Sequence, residues 1–113
     1  MGLNASGGEE LAPTVVSGSF TGTGSSSAAM FFRRFNVSLW GTFVGTVILE
    51  RSFDGGTTFL PCAIDAAGDA NAYTAPMSIV AAEPEPGVYY RLRCSAFTSG
   101  TINYRMSAGP RLS

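Results

Sequence analysis

A chain of 113 residues, 45% hydrophobic and 12% aromatic, has room for one globular domain with one core. Charged residues reach only 13%, about half of the ~25% usual for soluble domains, which leaves a surface suited to being covered by partners. The seven basic residues are all Arg, the net charge is −1, and neither Lys nor His occurs; this excludes an electrostatic footprint for nucleic acid and any His-based acid–base, nucleophilic or metal chemistry.

Residues 1–13 are small, polar and acidic, with Gly7-Gly8-Glu9-Glu10 ahead of Pro13, and read as a flexible N-terminal arm preceding a single domain over 14–113. The arm lacks the charged n-region and apolar h-region of a leader. No apolar run approaches the ~20 residues of a membrane span, so no membrane partner is expected. Met1-Gly2-Leu3-Asn4-Ala5-Ser6 fits the myristoylation pattern, but no basic cluster supplies the second membrane signal, and the match is read as chance. The sequons at Asn4 and Asn36 are read the same way.

A strand is predicted from Thr14 through Phe20, dissolving into a flexible Gly/Ser/Thr loop over Thr21–Ser27. In Met30–Trp40, Phe35, Val37 and Leu39 alternate with Arg34, Asn36, Ser38 and Trp40, the period of a half-buried strand. Gly41-Thr42 is read as a turn into a long hairpin, with arms at about Phe43–Phe53 and Thr57–Ile64. Between the arms, Ser52-Phe53-Asp54-Gly55-Gly56-Thr57-Thr58-Phe59 signals a tight turn. The same residues resemble a single Asp-box, in which Asp and Ser side chains cap backbone N–H groups of the turn.

Asp65–Ala70 is a further turn, and Ala72–Val80 an extended segment that Pro76 places at an edge or breaks in two. Glu83-Pro84-Glu85-Pro86-Gly87 is a stiff turn. Val88–Phe97 follows as an alternating strand, with Tyr90, Leu92, Cys94 and Ala96 on one face and Tyr89, Arg91, Arg93, Ser95 and Phe97 on the other. Thr98-Ser99-Gly100 closes a last hairpin onto Ile102–Ser107. Six to eight short strands without helical periodicity indicate an all-β fold, an antiparallel β-sandwich or small barrel of jelly-roll or Ig-like type.

No enzyme is indicated and no cofactor or metal is expected. Asp54, Asp65 and Asp69 all lie in turns, where Asp caps its own backbone. Cys62 and Cys94 are read as free thiols inside apolar strands, with a disulfide as the alternative. Arg91 and Arg93, with Arg105 on the neighbouring strand and Glu50-Arg51 near by, form either cross-strand ion pairs on a solvent face or an interface that grips a partner's carboxylates. Trp40, Tyr73, Tyr89 and Phe97 are either cover for the ends of the core or exposed anchors for a protein or sugar partner.

The segments Ser52–Phe59, Glu85–Cys94 and Thr98–Ser107, within residues 35–107, resemble small β-rich virion proteins of tailed bacteriophages. The resemblance implies a capsid decoration (cement) protein that binds the assembled head and stabilises it, with a neck or tail adaptor as the alternative. It implies the major capsid protein or other virion proteins as partners, a virion location, and a homo-oligomer, a trimer for choice. The arm would then bind the lattice or a neighbouring copy. A carbohydrate-binding β-sandwich module is the competing class. The candidate interface residues are Leu3, Glu9, Glu10, Leu11, Trp40, Tyr89, Arg91, Arg93 and Arg105.

Overall fold

The computed structural model describes residues 13–62 and 72–110. The strands are β1 (Thr14–Phe20), β2 (Gly24–Ser25), β3 (Ala29–Met30), β4 (Arg33–Trp40), β5 (Phe43–Ser52), β6 (Leu60–Pro61), β7 (Ala72–Tyr73), β8 (Met77–Glu83), β9 (Tyr89–Gly100) and β10 (Ile102–Ala108). They form two antiparallel sheets. Sheet A runs β1-β10-β4-β8; sheet B is centred on β9 and β5, with β2 and β3 along one side and β6 and β7 along the other.

The alternating apolar residues meet between the sheets. Val16, Phe35, Val37, Leu39, Tyr104 and Met106 from sheet A face Val47, Leu49, Tyr90, Leu92 and Cys94 from sheet B in one buried cluster. Phe35 and Tyr90 touch across the gap, with ring centroids 4.6 Å apart, so the fold is a sandwich and not a closed barrel. Burying a dozen such side chains at roughly 1.5–3 kcal/mol each is the main force on the fold. Gly18 keeps its strand flat beneath Tyr104, whose ring occupies the space a Cβ would need.

Four expectations are corrected. Thr98–Gly100 does not pair β9 with β10: the chain crosses there to the opposite sheet, as it also does at Gly41-Thr42 between β4 and β5. The two crossings lie side by side and are joined by the hydrogen bond from Thr101 N–H to the Thr42 carbonyl, 3.1 Å. Met30 and Phe35 likewise belong to different sheets. The chain passes between them at Phe31-Phe32, and Arg33 enters β4 with a left-handed φ of 69°.

The Gly/Ser/Thr loop is docked along β9. Ser26 N–H donates to the Leu92 carbonyl at 2.8 Å, and the Leu92 N–H donates to Ser26 Oγ at 2.9 Å, so a side chain completes the ladder. Finally, β9 does not alternate throughout. Register shifts against β5 fall at Ser95 and Thr98, turning Phe97 inward opposite Gly45 while Ala96 faces solvent.

Pro76 does break its segment in two: β7 borders sheet B and β8 borders sheet A. Cys62 and Cys94 are free thiols. Burial pushes the Cys62 thiol up to about 11 and raises that of Cys94 as well, which disfavours the reactive thiolate at both.

Candidate interaction surface

The Asp-Gly-Gly segment is an eight-residue loop between Arg51 and Leu60, which pair with each other, and not a tight turn. Ser52, buried at its base, donates from Oγ to Asp54 Oδ1 at 2.7 Å and accepts the Gly56 N–H at 2.9 Å. Asp54 Oδ1 also accepts the N–H groups of Thr57 at 3.1 Å and Thr58 at 2.8 Å. Gly55 and Gly56, at φ 75° and 96°, supply the left-handed backbone this wrapping needs. The Ser52 hydroxyl, then the Thr58 and Thr57 hydrogen bonds, hold the Asp54 carboxyl down at about 2. Asp54 is therefore a structural cap. Asp65 and Asp69 fall outside the described residues.

This loop positions Phe59 over the outer face of sheet B. There the Arg91 guanidinium lies 3.9 Å from the Phe59 ring centroid. Glu50, cross-strand from Arg91, sits between two arginines: Arg91 Nε donates to Oε1 at 2.9 Å and Arg93 Nε to Oε2 at 2.8 Å. Glu50 is only 4% exposed. Its burial raises the carboxyl pKa, but the hydrogen bonds and charges of Arg93 and Arg91 more than offset this, leaving it below the ordinary value. Tyr89 stands on the same outer face, opposite Ser52. The structure thus brings Arg91 and Arg93 together on a carboxylate from the same chain, with Tyr89 further along the same face.

Arg105 is not part of that group. It lies on β10, in the other sheet, beside Ser38 on the outer face that also carries Trp40. This second face is built from Val15, Ser17 and Ser19 on β1, Asn103, Arg105 and Ser107 on β10, Arg34, Asn36, Ser38 and Trp40 on β4, and Ser78, Val80 and Ala82 on β8. Only Arg34 and Arg105 are charged. Short hydroxyl and amide side chains bond to one another across the strands, Ser38 to Ser78 at 2.7 Å and Ser19 to Asn103 at 2.8 Å. Trp40 is 48% exposed, whereas Tyr73 and Phe97 pack against the core. Leu3, Glu9, Glu10 and Leu11 lie outside the described residues.

Glu50 is the site residue that the sequence underrated, and Phe59 was missed entirely. An acidic residue at the centre of an apolar strand (Val47-Ile48-Leu49-Glu50) was the available signal, since such a charge needs a partner. Which strand supplies that partner is not legible without the register.

The sheets differ at their margins. In sheet B each margin is broken into two-residue pieces, β2 with β3 and β6 with β7. In sheet A both margins are continuous seven-residue strands, β1 and β8. Among the described residues nothing pairs with their outer edges. The chain matches no protein-family model, no curated protein and no solved structure.

Proposed function

We propose that this chain is a structural protein of a virion, of the decoration or cement type, which binds the assembled head and reinforces it. The observation that carries this reading is the outer face of sheet A: four strands wide, dressed in Ser, Asn, Val and one exposed Trp, with two charges and two open edges. Such a face is cheap to desolvate, because few charges have to leave water. Its exposed Trp40, with Arg105 one cross-strand pair further along, belongs to the residue types that dominate interface energetics. The major capsid protein is the natural partner, and the chain's place is the virion.

Cementing needs only a modest contact per copy, on the order of 800 Å² per partner, because many copies act together on a closed lattice. A neck or tail adaptor would use the same face, with a ring of portal or tail subunits as partner. We do not propose the carbohydrate reading. Trp40 could stack on a sugar, yet the neighbouring Asn103 amide is engaged by its own chain, donating to the Trp40 carbonyl at 3.3 Å and accepting from Ser19.

The test is co-sedimentation with heads assembled from the major capsid protein of the genome that encodes the chain. Saturable binding at a fixed number of copies per capsomer, weakened by Trp40→Ala and lost on removal of residues 1–13, is expected. Absence of saturable binding by the full chain would refute the decoration role.

A further inference from the structure

The edge of β8 is shaped to receive a second β8. We propose that two copies of this chain pair there, antiparallel about a two-fold axis at Val80, joining two four-stranded sheets into one of eight strands. The proposal stands on the edge strand alone and does not depend on the virion reading.

An unpaired edge offers alternate N–H and C=O groups to any passing strand, and natural proteins blunt it with short strands, bulges, prolines or charges. Sheet B is blunted in that way, since its margins are two-residue fragments. β8 is not. It runs unbroken through Met77-Ser78-Ile79-Val80-Ala81-Ala82-Glu83, paired with β4 at every residue without a register shift, and Pro76 precedes it. Its one charge, Glu83, is 1% exposed and turned inward. Two such edges therefore meet without bringing charge against charge.

The side chains are self-complementary about the strand centre. A two-fold at Val80 sets Val80 against its own copy on the outer face, flanked by Ser78 against Ala82. On the inner face it sets Ile79 against Ala81. Val80 is 63% exposed, the most of any large apolar residue described, and Ile79 is 38% exposed although it faces the core side. Direct cross-strand pairing of β-branched residues is the favourable kind, and an isologous contact of this sort closes on itself as a dimer. The other open edge, β1, is a poorer self-partner: its centre is Ser17-Gly18-Ser19, and glycine weakens a strand.

Light scattering after size exclusion, on the full chain across the micromolar range, tests this. Wild type is expected to approach twice the chain mass of 11.8 kDa as concentration rises. Val80→Lys and Val80→Glu, each placing like charges at the axis, should each run as monomers, with the urea midpoint that wild type shows at concentrations too low for it to dimerise. Mixing the two should restore the dimer, because opposite charges then meet. Should either variant fail to fold, Ser78→Lys, one pair off the axis, is expected to weaken the dimer likewise. A wild type that stays monomeric throughout overturns the proposal. So does a Val80→Lys protein that keeps the wild-type mass, or a threefold mass abolished by Ser17→Lys as well, which would mean head-to-tail pairing of β8 with β1.

Discussion

The Tyr90 hydroxyl donates a 2.7 Å hydrogen bond to Glu83 Oε1 where both side chains are almost wholly buried, and so ties sheet B to sheet A. The second carboxylate oxygen accepts the Glu85 N–H at 2.9 Å, and Arg51 approaches the first at 3.7 Å. Burial, then the bond to Glu83, raises the tyrosine pKa well above the usual phenol value. A buried charge is tolerable only with such a set of partners.

Tyr90→Phe removes one of them without changing shape. The loss expected is about 1–3 kcal/mol, the cost of leaving a buried acceptor short of a donor, and urea denaturation reads it. Glu83→Gln should cost less than Glu83→Ala, because the amide oxygen still accepts from Tyr90.

The Asp54 cap makes a pH prediction. Its carboxyl is held at about 2 in the folded chain against an ordinary 3.8, so the unfolded chain takes up the proton first as pH falls. The stabilisation is complete above the ordinary value and is lost as pH drops through the window down to about 2. Wild type should therefore lose urea midpoint across that window. Asp54→Asn should start lower at neutral pH and fall less steeply, keeping the part of the slope that Glu50 supplies.

The paired crossings make a steric one. Gly100 has φ 92°, and a Cβ there would land on the Thr42 carbonyl oxygen and the Phe43 Cα, both backbone. Gly41, at φ 117°, meets the Thr101 carbonyl in the same way at 2.5 Å. Gly100→Ala should cost roughly 3 kcal/mol through left-handed strain plus overlap. Gly22→Ala, in open space, should be close to neutral; thermal melts of the two distinguish them.

How far the sequence reaches follows from what alternation reports. It tells which side of a strand is apolar, so Phe35, Val37, Leu39, Tyr90, Leu92 and Cys94 were assigned to the core and are there. It does not tell which strand lies alongside. A Gly-containing turn that closes a hairpin and one that carries the chain to the opposite sheet look alike, so Thr98-Ser99-Gly100 reads as the turn of a β9–β10 hairpin and Arg105 is grouped with Arg91 and Arg93. The bulge at Ser95 leaves no compositional mark, so Phe97 was placed on the wrong face. Ser26 reads as loop in the sequence because a hydroxyl that stands in for a backbone group is indistinguishable there from one that faces water. The Asp54 and Ser52 capping was legible because its hydrogen bonds are local, closing over four residues or fewer, whereas the length of the loop it caps was not, because that depends on where β6 pairs with β5.

Association through the β8 edge of sheet A, as proposed, can be read from amide hydrogen exchange followed by mass spectrometry at low and high micromolar concentration. Slowed exchange in Met77–Glu83 at the higher concentration, with β5 and β9 unchanged, is the expected result. Exchange in that strand that is fast at both concentrations, or protection gained only on the Arg91–Arg93 face of sheet B, would contradict it.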